Sequence, residues 1–231
     1  MTTFNIKVVS DAICPWCYVG KKRLERAIEL YKRDVPGGAN DTFNISWHPF
    51  YLDPTLPKDG VDFNVRIAEK YGPQRAEMIK SHLRAVGEAE GIRFSLQRRV
   101  GNTRDAHRLI QLAKTKSADA QDRLVSTLFQ SHFEEGADIT SQSVLVAIAE
   151  KAGLDKDEAR DWLSQEKGGE EVDGEVREAY RKGIQGVPNF TINGRYELSG
   201  AQEPQTFLDL FVRAKQSSPD VSTESSNGPS C

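Results

Sequence analysis

Long apolar runs are missing from this chain of 231 residues. A helix needs roughly 20 consecutive apolar residues to cross a bilayer, and no stretch approaches that. Blocks of like charge are missing too. The 31 Lys and Arg stand against 34 Asp and Glu, a net charge of −3, so nothing recommends nucleic acid or an anionic membrane surface as a partner. Cysteine is scarce, three residues in all. A structural zinc site closed by two Cys pairs lacks its second pair, and His48, His82, His107 and His132 show no close ligand spacing, so no metal is expected. No internal repeat is visible. Met1-Thr2-Thr3-Phe4 runs into an alternating pattern without a basic and then apolar leader, so a cytoplasmic protein is expected. There a lone Cys pair reads as redox-active rather than structural.

What is present is Cys14-Pro15-Trp16-Cys17. Two thiols three positions apart close a small ring, which suits a disulfide that opens and closes. The segment before it, Phe4-Asn5-Ile6-Lys7-Val8-Val9, alternates like a half-buried strand. The segment after it places Leu24, Ala27, Ile28 and Tyr31 on one helical face. Cys14 therefore stands where a strand hands over to a helix, and Pro15 suits the first helical position because its missing N–H would be unpaired there anyway. The free N–H groups and positive dipole end of such a helix favour a thiolate at Cys14. Cys17, one turn inside, is expected to be shielded and to act as the resolving thiol. Trp16 is expected to be exposed, and Lys21 and Lys22 to form a solvated face.

Farther along, Val35-Pro36-Gly37-Gly38 breaks the helix, and Thr42-Phe43-Asn44-Ile45-Ser46-Trp47 reads as a second strand, completing a βαβ unit. From about Val61 to Gly183 the pattern is almost entirely helical, with segments near 61–70, 74–90, 103–116, 119–134, 141–152, 156–167 and 170–182. Thr103, Thr140 and Asp155 are expected as N-caps, and Phe94-Ser95-Leu96 as a short extended piece. Strand character returns after Val187-Pro188, where Asn193-Gly194 marks a hairpin, and a last helix starts near Pro204. The expected division is a discontinuous sheet domain over 1–60 and 184–216, a helical insertion over 61–183, and a disordered Ser-rich and Pro-rich tail over 217–231 ending in Cys231.

The order β-α-β, helical insertion, β-β-α resembles the thioredoxin-like fold of the DsbA family of dithiol-disulfide oxidoreductases, most closely its FrnE-like cytosolic branch. The residues carrying this are Cys14 to Gly20, Trp47-His48-Pro49-Phe50, Asn102-Thr103 with Ala106-His107-Arg108-Leu109, and Gly186-Val187-Pro188-Asn189-Phe190 with Gly200-Ala201-Gln202. The fold class is thus α/β, a mixed sheet of βαβ and ββα halves with a large all-helical insertion. The resemblance implies that Val187-Pro188 is a cis peptide bond against the disulfide, with Val187 offering backbone groups to an extended substrate. It also implies thiol–disulfide exchange through a mixed disulfide, with Cys14 attacking, Cys17 resolving, and Pro15, Trp16, Val187 and Pro188 contacting substrate.

The partner on this reading is a protein or small molecule bearing a thiol or disulfide. No bound cofactor is expected, with glutathione open as an electron donor. The alternative is a glutathione-dependent transferase or isomerase acting on small aromatic or polyketide-like molecules. Kappa-class glutathione transferases and hydroxychromene-carboxylate isomerases are similar in architecture but generally carry serine where this chain has Cys14. A non-catalytic binding or holdase module is the third reading.

Overall fold

The computed structural model describes residues 1–217. Strand β1 (Thr3–Ser10) turns Phe4, Ile6 and Val8 into the core at alternate positions. It lies between two neighbours, parallel to β2 (Thr42–Pro49) from Thr3 opposite Thr42 to Ser10 opposite Pro49, and antiparallel to β5 (Asn189–Ile192). Strand β6 (Tyr196–Ser199) closes the far edge, giving the order β2-β1-β5-β6. The β5–β6 turn has φ of 51° at Asn193 and 68° at Gly194, as a two-residue hairpin requires.

Helix α1 (Pro15–Asp34) and the last helix, α9 (Pro204–Gln216), pack together against one sheet face. Phe4, Tyr31, Phe43 and Phe211 interlock there, with ring centroids 4.8–5.8 Å apart. Below them Asp41 accepts from the Tyr31 hydroxyl at 2.8 Å and from Lys215 at 2.7 Å. Burial alone would raise its carboxyl, but Lys215, the Thr2 N–H and Tyr31 together hold it below the ordinary range.

Between the two sheet segments lie α2 (Phe63–Tyr71), α3 (Pro73–Ala89), α4 (Arg104–Lys116), α5 (Ala118–Phe133), α6 (Gln142–Lys151), α7 (Lys156–Ser164) and α8 (Gly169–Arg181). α5 covers the free edge of β2. The Gln121 amide accepts from Trp47 N at 3.0 Å and donates to Trp47 O at 2.9 Å, pairing that edge as another strand would. Among the described residues no helix is long and apolar enough to cross a membrane.

Four expectations need correction. The region between the sheet segments is not all-helical, because β3 (Val61–Asp62) and β4 (Arg99–Val100) form an antiparallel ribbon within it. Phe94-Ser95-Leu96 is irregular rather than extended in a ladder, since its Ser95 N–H goes to the Phe133 carbonyl at the end of α5. Helix α7 stops at Ser164 instead of continuing to 167. Its last carbonyls are taken by Arg108, whose Nη2 donates to Trp162 O and Leu163 O, so the final turn needs no continuation. Thr140 does not cap a helix, and Ser141 holds that position; Thr103 does stand at the N-cap of α4, though its side chain makes no capping bond and Asn102 Oδ1 accepts from Arg104 N. Asp155 does cap α7, accepting from Glu158 N at 2.7 Å. The expected tail, apart from Ser217, and Cys231 with it lie outside the described residues.

Candidate active site

Cys14 is the N-cap of α1 and Pro15 its first residue. The handover from β1 is tight. Cys14 N donates to Asp11 O at 3.1 Å and Cys17 N to Cys14 O at 3.0 Å, which winds both cysteines onto the first turn. Both are free thiols. From β5's side, the Val187 carbonyl accepts from Cys14 Sγ at 3.6 Å, across 173 residues of sequence, and the Val187–Pro188 peptide is cis. Gly20 permits this approach. A Cβ there would stand 3.0 Å from Pro188 Cγ and from Phe190 Cζ, so a side chain would push α1 away from the segment holding Val187.

The two thiols differ in surroundings. Cys17 is fully buried, and burial, followed by the adjacent Cys14 sulfur, raises its thiol well above its ordinary value. The Ser10 side chain and Asp11 backbone partly oppose that rise. Cys14 shows only 2% of its surface, but it lies in the wall of a cleft of about 580 Å3, with Ile13, Pro15 and Trp16 beside it and α2 and α3 opposite. Trp16 is 36% exposed and its ring faces His82 at 5.6 Å. A larger hollow, about 990 Å3, borders Lys7, Ser46 and Thr191 on the sheet; Val187 reaches it but neither thiol does.

One expectation about this neighbourhood changed. Lys21 is not on a solvated face. It is 2% exposed, held by Glu25 at 2.5 Å and Asp122 at 3.1 Å, and lies 5.6 Å from the Trp47 ring centroid. His107 is buried, with Nε2 3.2 Å from Asp11 Oδ1 and 3.1 Å from the Phe50 carbonyl. Asp11 itself was missed. It is fully buried three residues before Cys14, and its other carboxylate oxygen accepts from Leu52 N at 2.7 Å, fixing the loop after β2 beside the cleft. The available signal was an acidic residue at the end of an apolar strand, immediately before the motif.

A four-stranded mixed sheet with a dithiol at the start of its first helix and a cis-proline segment facing it defines a thioredoxin-fold protein. The match to known families is specific: residues 5–212 fit the model of the DSBA-like thioredoxin domain, and the chain belongs to that family. Among solved structures it is similar to a probable DsbA oxidoreductase from Streptomyces coelicolor, 30% identical, covering 95% of this chain and 93% of that one with a TM-score of 0.84. It shares its fold with a 2-hydroxychromene-2-carboxylate isomerase (17% identity, 95% and 100% coverage, TM-score 0.66). The same holds for the cytosolic disulfide reductase DsbM from Pseudomonas aeruginosa, determined with GSH (16%, 92% and 99%, TM-score 0.60).

Proposed function

We propose that this chain is a thiol–disulfide oxidoreductase in which Cys14 attacks and Cys17 resolves. The observation that carries the reading is the unequal pair of thiols on one helical turn, Cys14 in a cleft wall and Cys17 sealed beneath it. In the reducing direction the Cys14 thiolate attacks one sulfur of a substrate disulfide. The Cys14–substrate bond forms as the substrate S–S bond breaks, and the first thiolate leaves. Cys17, its thiol proton passing to solvent, then attacks Cys14 sulfur and expels the second thiolate. The raised Cys17 value keeps that thiol protonated until the mixed disulfide exists, so it does not compete for the substrate. Pro15 and Trp16 border the attacking sulfur, and the Val187 carbonyl 3.6 Å from Cys14 Sγ supports a role for the Val187 and Pro188 backbone in pairing with an extended substrate.

The partner is a thiol-bearing or disulfide-bearing molecule, with glutathione proposed as an electron donor. The FrnE-like assignment rests on the sequence segments around Cys14, Trp47 and Val187, and cytoplasmic work is proposed by likeness to a fold neighbour described as cytosolic. The isomerase of the same fold supports the alternative, a glutathione-dependent transferase or isomerase. The presence of Cys14 and Cys17 together favours exchange.

A Cys17→Ser variant tests the reading. It is expected to accumulate one mixed disulfide on Cys14, seen as a single adduct by intact-mass spectrometry, while Cys14→Ser forms none. A Cys14→Ser variant that exchanged at the parent rate would sink the proposal, and a Cys17→Ser variant with full turnover would move it to the transferase reading.

A further inference from the structure

The cleft beside Cys14 is chemically lopsided in a way that exchange alone does not use. Its volume, about 580 Å3, falls in the range of small-molecule sites, roughly 300–1,000 Å3. Trp16, Leu52, Tyr71 and Met78, four of the large apolar side chains left exposed, all line it. Three cations line the same cleft: Arg66 and Lys70 from α2 and Arg75 from α3. Among the described residues lining the cleft, Asp53 is the one carboxylate, and it sits 2.7 Å from Arg66 Nη2 and 3.7 Å from Lys70 Nζ. One carboxylate therefore answers three cations. Glu69, near Arg66 on the same helix, is exposed and outside the lining. Lys70 and Arg75 also lie 5.7 and 5.6 Å from the Tyr71 ring centroid, which holds their charge at the border of an aromatic surface. Arg66 Nε is buried without a hydrogen-bond partner.

We propose that the cleft selects small disulfides whose aromatic body carries a carboxylate. The ring lies against Trp16, Tyr71 and Met78, and the carboxylate is drawn to Arg66, Lys70 and Arg75. Positive charge in a low-dielectric slot raises the local concentration of anions and their rate of encounter with the sulfur. This selectivity rests on the exchange reading above. In one turnover the reduced protein gives two electrons: a Cys14–sulfur bond forms and the substrate S–S bond breaks, then Cys17 displaces the second arylthiolate, leaving the protein disulfide, two arylthiolates and two protons.

The test is single-turnover oxidation of the reduced protein by two aromatic disulfides, anionic dithiobis(nitrobenzoate) and neutral dithiodipyridine. Each rate is divided by that probe's rate with N-acetylcysteine. The expected result is a normalised preference of at least tenfold for the anionic probe, shrinking at about 1 M salt, where charges are screened beyond roughly 3 Å. The anionic-to-neutral ratio should fall about tenfold in Arg66→Gln/Lys70→Gln/Arg75→Gln. Lys70→Gln/Arg75→Gln, which keeps the Arg66–Asp53 pair, should lower it by a smaller factor, with circular dichroism checking the fold of both. A parent that oxidises readily but shows no preference, or variants with an unchanged ratio, would overturn the selectivity and leave the exchange reading intact. A parent oxidised by neither probe would overturn both.

Discussion

The α2–α3 arm, which meets α1, and the α4–α8 block, which meets β2, are built on different terms. α2 and α3 bury one residue of nine and three of seventeen, while α4 and α5 bury seven of thirteen and nine of sixteen. In the block, buried charged groups tie the helices together. Arg108, 1% exposed, donates to the carbonyls of Lys167, Trp162 and Leu163 and to Asp105, and Glu175, pulled down to about 2 because His48 and Lys114 outweigh its burial, ties α8 to β2 and α4. In the arm, Met78 is 71% and Tyr71 42% exposed, and both border the cleft. Burial and paired polar groups give the block its rigidity. The sparse arm leaves apolar surface for a ligand, as expected of elements drawn from the low-stability end of a fold.

That contrast can be broken most forcefully from inside the block. Replacing Arg108 by Met removes its bonds to Asp105 and to the carbonyls of Lys167, Trp162 and Leu163, and should cost about 2–6 kcal/mol in urea unfolding, four hydrogen bonds at roughly 0.5–1.5 kcal/mol each. Leu128→Ala in α5, where the side chain is fully buried, should cost about 2–5 kcal/mol.

The block should also be the acid-sensitive part. Burial pushes His132 down to about 4, with Nδ1 3.0 Å from the Ala137 carbonyl and Nε2 without a partner. The unfolded chain takes up this proton near pH 6.5 and the folded chain only near 4. The contribution is therefore fully present above about 6.5 and lost as the pH falls through that window, by roughly 3 kcal/mol at about 1.4 kcal/mol per unit. Stability measured from pH 7 to 4 should fall less steeply in His132→Asn than in the parent, and parallel curves would remove His132 from the account.

Gln121→Ala should cost about 1–3 kcal/mol by leaving the Trp47 backbone groups unsatisfied. The smallest stability effect belongs to the arm. Met78→Ala should change unfolding by no more than about 0.5 kcal/mol while slowing reaction with aromatic disulfides. A loss as large as that of Leu128→Ala would erase the distinction between arm and block.

Much of the frame was legible because it is local. Period-two alternation marked β1 and β2, Asn193-Gly194 marked the hairpin, and Pro15 after Cys14 marked the start of α1. The misreadings came where the neighbour is remote. Lys21 looked outward until Asp122, 101 residues away, reached it, and Asp11 went unremarked because the His107 it meets lies 96 residues on. The two-residue strands of the β3–β4 ribbon are too short to show a period.

By itself the sequence determined the strands of the main sheet, most of the helices and the thiol pair at their junction, since dihedral preference and burial periodicity act between residues a few positions apart. The tertiary structure decided that Cys14 lies in the wall of a cleft, and that Leu52, Arg66, Lys70, Arg75 and Met78 line that cleft with it. Those facts depend on how α2 and α3 pack near the first turn of α1, and no repeat along the chain records the register of that packing.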